Sequence, residues 1–260
     1  MKKFGRLALA VALSVAMVLA LVACGSKDES TSGGDTEKTY IIYSDNAFAP
    51  FEYLDPTTNE YTGVDMDLLA AIAEDQGFAY EIKNEGFDAA MGAVQSGQAD
   101  GMIAGMTIKE ERKETFDFSD GYFEDGQIFV VAADSDIDSL EDLNGTVVAV
   151  KTSTAGADYA ASIADEYGFT LQYYEDSPTM YTAVINGVNV ACFEDFSVIG
   201  WAIKNDGVKL KTVGDVINSA PYGFAVKKGE NAELIELFNA GLANIKENGK
   251  YDEILAKYGY

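Results

Sequence analysis

The chain contains no histidine. That absence removes the Ser-His-Asp and Cys-His arrangements of nucleophilic catalysis. Two cysteines, Cys24 and Cys192, leave too few soft ligands for a zinc centre, and no metal or other cofactor is expected. Basic charge is also scarce: Lys and Arg total 18 against 43 Asp and Glu, and Lys2, Lys3 and Arg6 use up three of the 18 at the extreme N-terminus. Nucleic acid and anionic lipid headgroups would be repelled by a surface of this sign, so neither is an expected partner. Acidity alone serves solubility and carries no information about a ligand. Rarest of the charged residues is arginine. After Arg6 there is one, Arg112, and every other basic residue is lysine. Arginine offers a planar fork that grips a carboxylate through two parallel hydrogen bonds, and it never loses its charge. A composition that avoids arginine except once points to a task lysine cannot perform. The alternative is a surface arginine beside Glu110 and Glu111.

What is present begins with a short basic stretch and an apolar run from Leu7 to Ala23 ending in small residues, the pattern of an export signal. A bilayer-spanning helix needs about 20 apolar residues, more than this run supplies. The ending Leu21-Val-Ala-Cys24-Gly25 resembles a bacterial lipobox, which implies lipid (diacylglyceryl, with a palmitate-type chain) on Cys24 and anchoring to the outer face of the cell membrane. Cys192 then has no partner for a disulfide, and the fold must stand on its core. Residues 24–38, rich in Gly, Ser, Thr and charge, suit a flexible tether.

From Tyr40 onward, strand-like runs alternate with helical periodicity, which predicts an α/β architecture. The runs are 40–43, 79–82, 99–104, 127–132, 146–151, 170–174, 189–193, 210–213 and 223–226. Val64, Leu68, Leu69 and Ile72 fall on one helical face, as do Leu234, Ile235, Phe238, Leu242 and Ile245. The βα pattern before Gln127 and after Gly145 suggests two similar lobes. Two metal readings fail on spacing. Asp134, Asp136 and Asp138 open like a calcium loop, but Ser139 and Gly145 stand where it needs Gly and Glu. Asp65 and Asp67 are two apart and do not share a helical face.

Several segments together resemble the polar amino-acid branch of bacterial extracellular solute-binding proteins, family 3: Asp45-Asn-Ala-Phe48-Ala-Pro-Phe51-Glu52, Gly63-Val-Asp-Met-Asp-Leu68, Ala104-Gly-Met-Thr-Ile-Lys-Glu-Glu-Arg-Lys113, Phe116-Asp-Phe-Ser-Asp120, Val147-Val-Ala-Val-Lys-Thr-Ser-Thr154 and Asn248-Gly-Lys-Tyr-Asp-Glu-Ile254. The resemblance implies a two-lobed periplasmic-binding fold of type II, each lobe a mixed sheet flanked by helices, joined by a two-strand hinge. Lobe one is expected over 39–128 plus 223–260, and lobe two over 129–222. It further implies a monomeric receptor, not an enzyme, that closes on a free polar amino acid and delivers it to separate ABC permease and ATPase subunits.

By the same resemblance, Thr107 and Arg112 hold the ligand α-carboxylate with the Gly105 backbone nearby. Asp195 takes the α-ammonium, with Glu194 the alternative one residue away. Phe48 and Phe87 sandwich the aliphatic part. Asp45, Lys151 and Thr154 then face the ligand side chain. An acceptor at Asp45 and a donor at Lys151 complement a neutral amide, which favours glutamine. Glu194 stands where glutamine receptors often carry histidine. Two rival functions share the fold: enzymes of the cyclohexadienyl dehydratase kind, for which Glu194 would be the general acid, and ligand-sensing lipoproteins that do not transport.

Overall fold

The computed structural model describes residues 38–260; the export signal, Cys24 and the tether through residue 37 lie outside the described residues. The chain first lays down β1 (Thr39–Ser44), the small antiparallel strands β2 (Ala47–Phe48), β3 (Glu52–Leu54) and β4 (Tyr61–Thr62), α1 (Val64–Gln76), β5 (Ala79–Asn84), α2 (Phe87–Ser96), β6 (Gly101–Met102) and β7 (Phe116–Phe118). There follow β8 (Phe123–Ala132), β9 (Val147–Lys151), α3 (Ala155–Tyr167), β10 (Thr170–Tyr174), α4 (Ser177–Ile185), β11 (Ala191–Asp195), α5 (Phe196–Trp201) and β12 (Leu210–Tyr222). The chain ends with β13 (Ala225–Lys227), α6 (Ala232–Glu247) and α7 (Lys250–Lys257).

Two five-stranded sheets result, ordered β5-β1-β6-β13-β7 and β10-β9-β11-β8-β12. Each has one antiparallel strand next to its edge: β13 between β6 and β7, and β8 between β11 and β12. The remaining ladders of β1 with β5 and β6, and of β9 with β10 and β11, are parallel.

Apolar residues on both sides of a strand explain why these segments read as continuous runs rather than alternations. In the second sheet, Phe129, Val131, Val148 and Val150 turn to one face with Ala157 and Ala160 of α3. Ile128, Val130 and Ala149 turn to the other, with Met180 and Val184 of α4 and Ile199 of α5. In the first sheet, Ile42 packs with Leu68, Leu69 and Ile72 of α1 and Phe238 and Leu242 of α6. Its opposite face holds Met102 and Phe116 with Phe87, Ala90 and Val94 of α2. Both helical stripes expected from periodicity therefore face a core.

The polypeptide passes between the sheets twice, and both passages border the β8–β12 ladder, which ends with Asp125 opposite Ala220, Glu124 opposite Pro221 and Phe123 opposite Tyr222. The expected lobe boundaries fall within β8 and just beyond the end of β12. The strand expected at 210–213 runs on to Tyr222. Register shifts between Val213 and Ile217, and again between Ile217 and Ala220, break the alternation that would have marked it. Strand 99–104 shortens to Gly101–Met102, and β2, β3, β4 and β7, each of two or three residues, are too short to leave a periodic signal.

Candidate functional site

The facing ends of the two sheets enclose a cleft of about 360 Å³, open space at its mouth included, and nine of the ten residues singled out from sequence line it. The tenth, Asp45, is fully buried behind the wall and reaches the cleft through an ion pair with Lys151.

From the first sheet, β6 leads into Ala104–Thr107. Gly105 has φ +52°, and a Cβ there would come within 2.5 Å of the Phe48 ring, so both the backbone conformation and the close approach call for glycine. Its N–H donates to Asp65 Oδ2 at 2.8 Å, which fixes the loop. Thr107 bridges to Tyr222 of the crossing strand, and its carbonyl accepts from Arg112 Nη1 at 2.8 Å. Arg112 opens a 3-10 turn over Arg112–Glu114. Its guanidinium lies 5.4 Å from the centre of the Phe87 ring, and Nη2 donates across the cleft to the Ser153 carbonyl at 2.8 Å. Arg112 is only 6% exposed. Burial pulls its pKa down to about 10, with Asp158 and Asp195 acting in the opposite sense. It is a cation at neutral pH, and its hydrogen bonds to the described residues use two of its five donors.

From the second sheet, β9 ends at Lys151, and the chain turns through Ser153 at φ +62° into α3. Thr154 caps that helix: its hydroxyl accepts from Ala157 N at 3.2 Å and donates to the Lys151 carbonyl at 2.7 Å. Those bonds occupy the hydroxyl expected to face the ligand side chain. Lys151 is 2% exposed and its ammonium lies 4.6 Å from the Phe48 ring centre. Burial opposes its charge, but Asp45 and Glu194 outweigh that penalty and hold its pKa above that of an ordinary lysine.

Strand β11 delivers Glu194 and Asp195, both buried. Glu194 accepts from the Tyr181 hydroxyl at 2.8 Å and from Asp195 N at 3.0 Å. Burial raises its pKa, and Asp195 adds to the effect. Asp195 accepts from Gln127 Nε2 at 3.0 Å and from the Tyr222 hydroxyl at 2.5 Å. Burial raises it as well, with Arg112 and Lys151 among the groups that oppose the rise. The cleft thus sets a cationic fork on one wall against a carboxylate on the other, with the Phe48 and Phe87 rings beside them.

Four contributors escaped sequence reasoning. Ala155 and Gly156 bring the first turn of α3 to the cleft wall, and a Cβ on Gly156 would stand 3.3 Å from the Phe193 carbonyl. The Ser153-Thr154 pair ahead of an Ala-rich helical run was a readable cap signal. Gln127 and Tyr222 come from the crossing strands, where no local pattern marks them. The two aspartates tested as a metal pair part company: Asp65 turns inward, whereas Asp67 pairs with Lys257 and Tyr258 at the surface.

The chain as a whole is similar to known proteins. The chain is 34% identical to a probable histidine-binding protein of Neisseria gonorrhoeae, over 92% of this chain and 91% of that one. It is likewise 34% identical to an ABC transporter glutamine-binding protein of Bacillus subtilis (strain 168), over 99% of this chain and 97% of that one. Among solved structures, an ancestral arginine-binding protein bound to arginine superposes with a TM-score of 0.79 at 37% identity, covering 85% of this chain and 98% of the other. With residues 40–260 matching the model of bacterial extracellular solute-binding proteins, family 3, the chain belongs to that family.

Proposed function

We propose that this protein is an extracytoplasmic receptor of an ABC importer that closes its two lobes around one free amino acid, with glutamine favoured. The observation that carries the reading is the opposition of Arg112 and Asp195 across one buried cleft. Only a ligand bearing both a carboxylate and an ammonium satisfies both groups. Arg112, the Thr107 hydroxyl and the first turn of α3 take the α-carboxylate, a helix N-terminus being suited to negative charge. Asp195 takes the α-ammonium. The rings of Phe48 and Phe87 exclude water and so strengthen both contacts.

The side chain then meets the buried Asp45–Lys151 pair. A primary amide complements the pair, its carbonyl accepting from Lys151 and its NH₂ turned toward Asp45 once their direct contact loosens, so that each charge keeps a hydrogen-bond partner. A cationic side chain would instead compete with Lys151 for Asp45. The relatives are named for different amino acids, one as a probable histidine-binding protein and another as a glutamine-binding protein. Both Glu194 oxygens accept hydrogen bonds within the protein, so nothing in the geometry favours its use as a general acid. Delivery to the membrane falls to lipid on Cys24, expected from the sequence, and closure to the lobes 39–128 with 223–260 and 129–222 turning about β8 and β12.

Calorimetric titration with each of the twenty amino acids tests the class and the ranking. Tight arginine binding without glutamine binding would overturn the preference for glutamine. Arg112→Lys is expected to weaken every ligand at least tenfold, about 1.4 kcal/mol, because an ammonium cannot reproduce the bidentate grip. A variant binding within about threefold of the parent, under 1 kcal/mol, would remove Arg112 from the carboxylate site.

A further inference from the structure

One phenol stands between two carboxyl groups where the cleft meets the crossing strands. Tyr222 Oη lies 2.5 Å from Asp195 Oδ2 and 3.1 Å from Asp125 Oδ2. A phenol carries a single proton. Donated to the nearer Asp195, that proton leaves the Tyr222 and Asp125 oxygens facing each other lone pair to lone pair, unless Asp125 carries a proton of its own and donates it to the phenol. The other donors around the two acids are N–H groups aimed at their carboxyl oxygens, and none supplies a proton between Tyr222 Oη and Asp125 Oδ2. Gly126 N meets Asp125 Oδ1 at 2.8 Å, Ser197 N meets Asp125 Oδ2 at 3.2 Å, and Gln127 Nε2 meets Asp195 Oδ1 at 3.0 Å. Tyr222 is fully buried and each aspartate is 8% exposed, so bulk water does not stand in for the missing proton. Among the described residues no lysine or arginine forms an ion pair with Asp125. Arg112 and Lys151 act on Asp195, Glu194 adds a further negative group beside it, and the Tyr260 hydroxyl is the other titratable group near Asp125.

We propose that Asp125, Tyr222 and Asp195 hold one extra proton between them in the free protein, and that the α-ammonium of an arriving ligand expels it. The proposal rests on the reading of Asp195 as the ammonium partner. The exchange balances: the ammonium brings one positive charge against Asp195, the O–H bond of the Asp125 carboxyl breaks and its proton leaves to solvent, while the phenol keeps its own proton and turns it from Asp195, now held by the ammonium, to Asp125. Asp125 touches no ligand. It is a positioning residue on β8, so occupancy of the cleft changes the charge of the strand across which the chain passes between lobes. Burial and the neighbouring Asp195 charge push Asp125 up to about 7, in accord with a proton exchangeable near neutrality.

Proton counting decides the matter. The tightest binder among the twenty amino acids is titrated calorimetrically into the protein in buffers of differing ionisation enthalpy, at about pH 6 and about pH 8.5, on either side of the Asp125 value. The expected release is between one half and one proton per ligand at the lower pH and close to none at the higher. Affinity should correspondingly rise with pH, by at most about tenfold per unit for one proton. Asp125→Asn, which keeps a donor toward Tyr222 but has no ionisable proton, should abolish the release and flatten the pH profile. Normal binding at about pH 6 without proton release would overturn the proposal, as would Asp125→Asn that still releases one. If Asp125→Asn does not fold, carboxyl ¹³C titration of the unaltered protein serves: Asp125 should titrate near neutrality when free and lose that step when liganded, and an Asp125 already ionised at about pH 5 in the free protein overturns the idea. Absence of binding by any amino acid would sink the Asp195 reading itself, a result distinct from binding without protons.

Discussion

Tyr122 and Tyr222 lie side by side where the chain passes between sheets, with Tyr122 N donating to the Tyr222 carbonyl at 2.9 Å. Each phenol contacts a buried pair of carboxyl groups, Tyr222 from between its two and Tyr122 from one end. Tyr222 serves Asp195 and Asp125 at the cleft. Tyr122 donates to Asp65 Oδ2 at 2.8 Å, and Asp65 lies within hydrogen-bonding reach of Glu52. In the Glu52–Asp65 pair three oxygens, both of Glu52 and Oδ1 of Asp65, have no donor. A proton kept by Glu52 and given to Asp65 Oδ1 reconciles two of the three and leaves one Glu52 oxygen without a donor. Burial raises Glu52 well above the usual carboxylate range, Asp65 and Asp45 add to the rise, and Lys151 opposes it; burial brings Asp65 to about 6 despite its bonds from Gly105 and Tyr122. The pairs differ in what they face. Asp195 stands in the cleft wall, whereas Glu52 and Asp65 do not line it: Asp65 holds Gly105 and Tyr122 in place, and Glu52 lies near Asp65 and Lys151. The same device thus serves recognition in one place and scaffolding in the other.

The comparison breaks first at Asp195. Asp195→Ala is expected to lose two or more decades of affinity for every amino acid, because leaving a buried charge unpaired costs about 3 to 5 kcal/mol. Isothermal titration measures it, and a loss under tenfold would make both pairs structural. Next in size comes Glu52→Ala, which leaves Asp65 charged and opens a void. It should lower unfolding stability by about 2 to 4 kcal/mol in denaturant titration. Glu52→Gln, whose amide still donates to Asp65, should recover most of that. If the two variants are equally unstable, no proton sits on Glu52.

A smaller effect concerns pH. A carboxyl raised in the folded state holds a proton that the unfolded chain has already released above about pH 4. Stability is therefore expected to fall as pH climbs from that value through about 6 for Asp65 and about 7 for Asp125. Denaturation midpoints between about pH 5 and about pH 8 check the sign, since carboxylates with lowered values are ionised in both states across that range and would give no slope. The decline should be shallower in Asp125→Asn.

How much of this was legible in the sequence follows from which contacts are local. Val64, Leu68, Leu69 and Ile72 declare α1 because the whole stripe lies within one helix, and Arg112 declared itself by rarity. Gly105 and Thr107 were legible as part of a motif that folds as one loop. The Asp125–Tyr222–Asp195 cluster was not, since its members come from three strands up to 97 residues apart and nothing in the neighbours of Tyr222 marks a buried phenol. Asp65 was visible only as a poor metal ligand, because its true partners, Gly105 and Tyr122, lie 40 and 57 residues away. Lys151 and Asp45 were each expected to face the ligand side chain; Lys151 lines the cleft, and Asp45 lies behind it as its ion-pair partner, a pairing 106 residues apart that no local pattern marks.

Thr154 offers the finest discrimination between a residue that reads the ligand and one that builds the wall. Its hydroxyl is bonded to Ala157 N and to the Lys151 carbonyl, so Thr154→Ala removes a helix cap and frees the Lys151 carbonyl at the end of β9 while leaving both charges of the Asp45–Lys151 pair present. The expected cost is about 1 kcal/mol of stability, with affinity falling by no more than about fivefold, an effect of the same size. The fall should be alike for all amino acids that bind. A hydroxyl that instead recognised the ligand side chain would leave stability near that of the parent and change the ranking among glutamine, histidine and arginine. Thermal melts and competition titrations on the same variant separate the two, because a cap acts on the scaffold common to every ligand while a recognition contact acts on one.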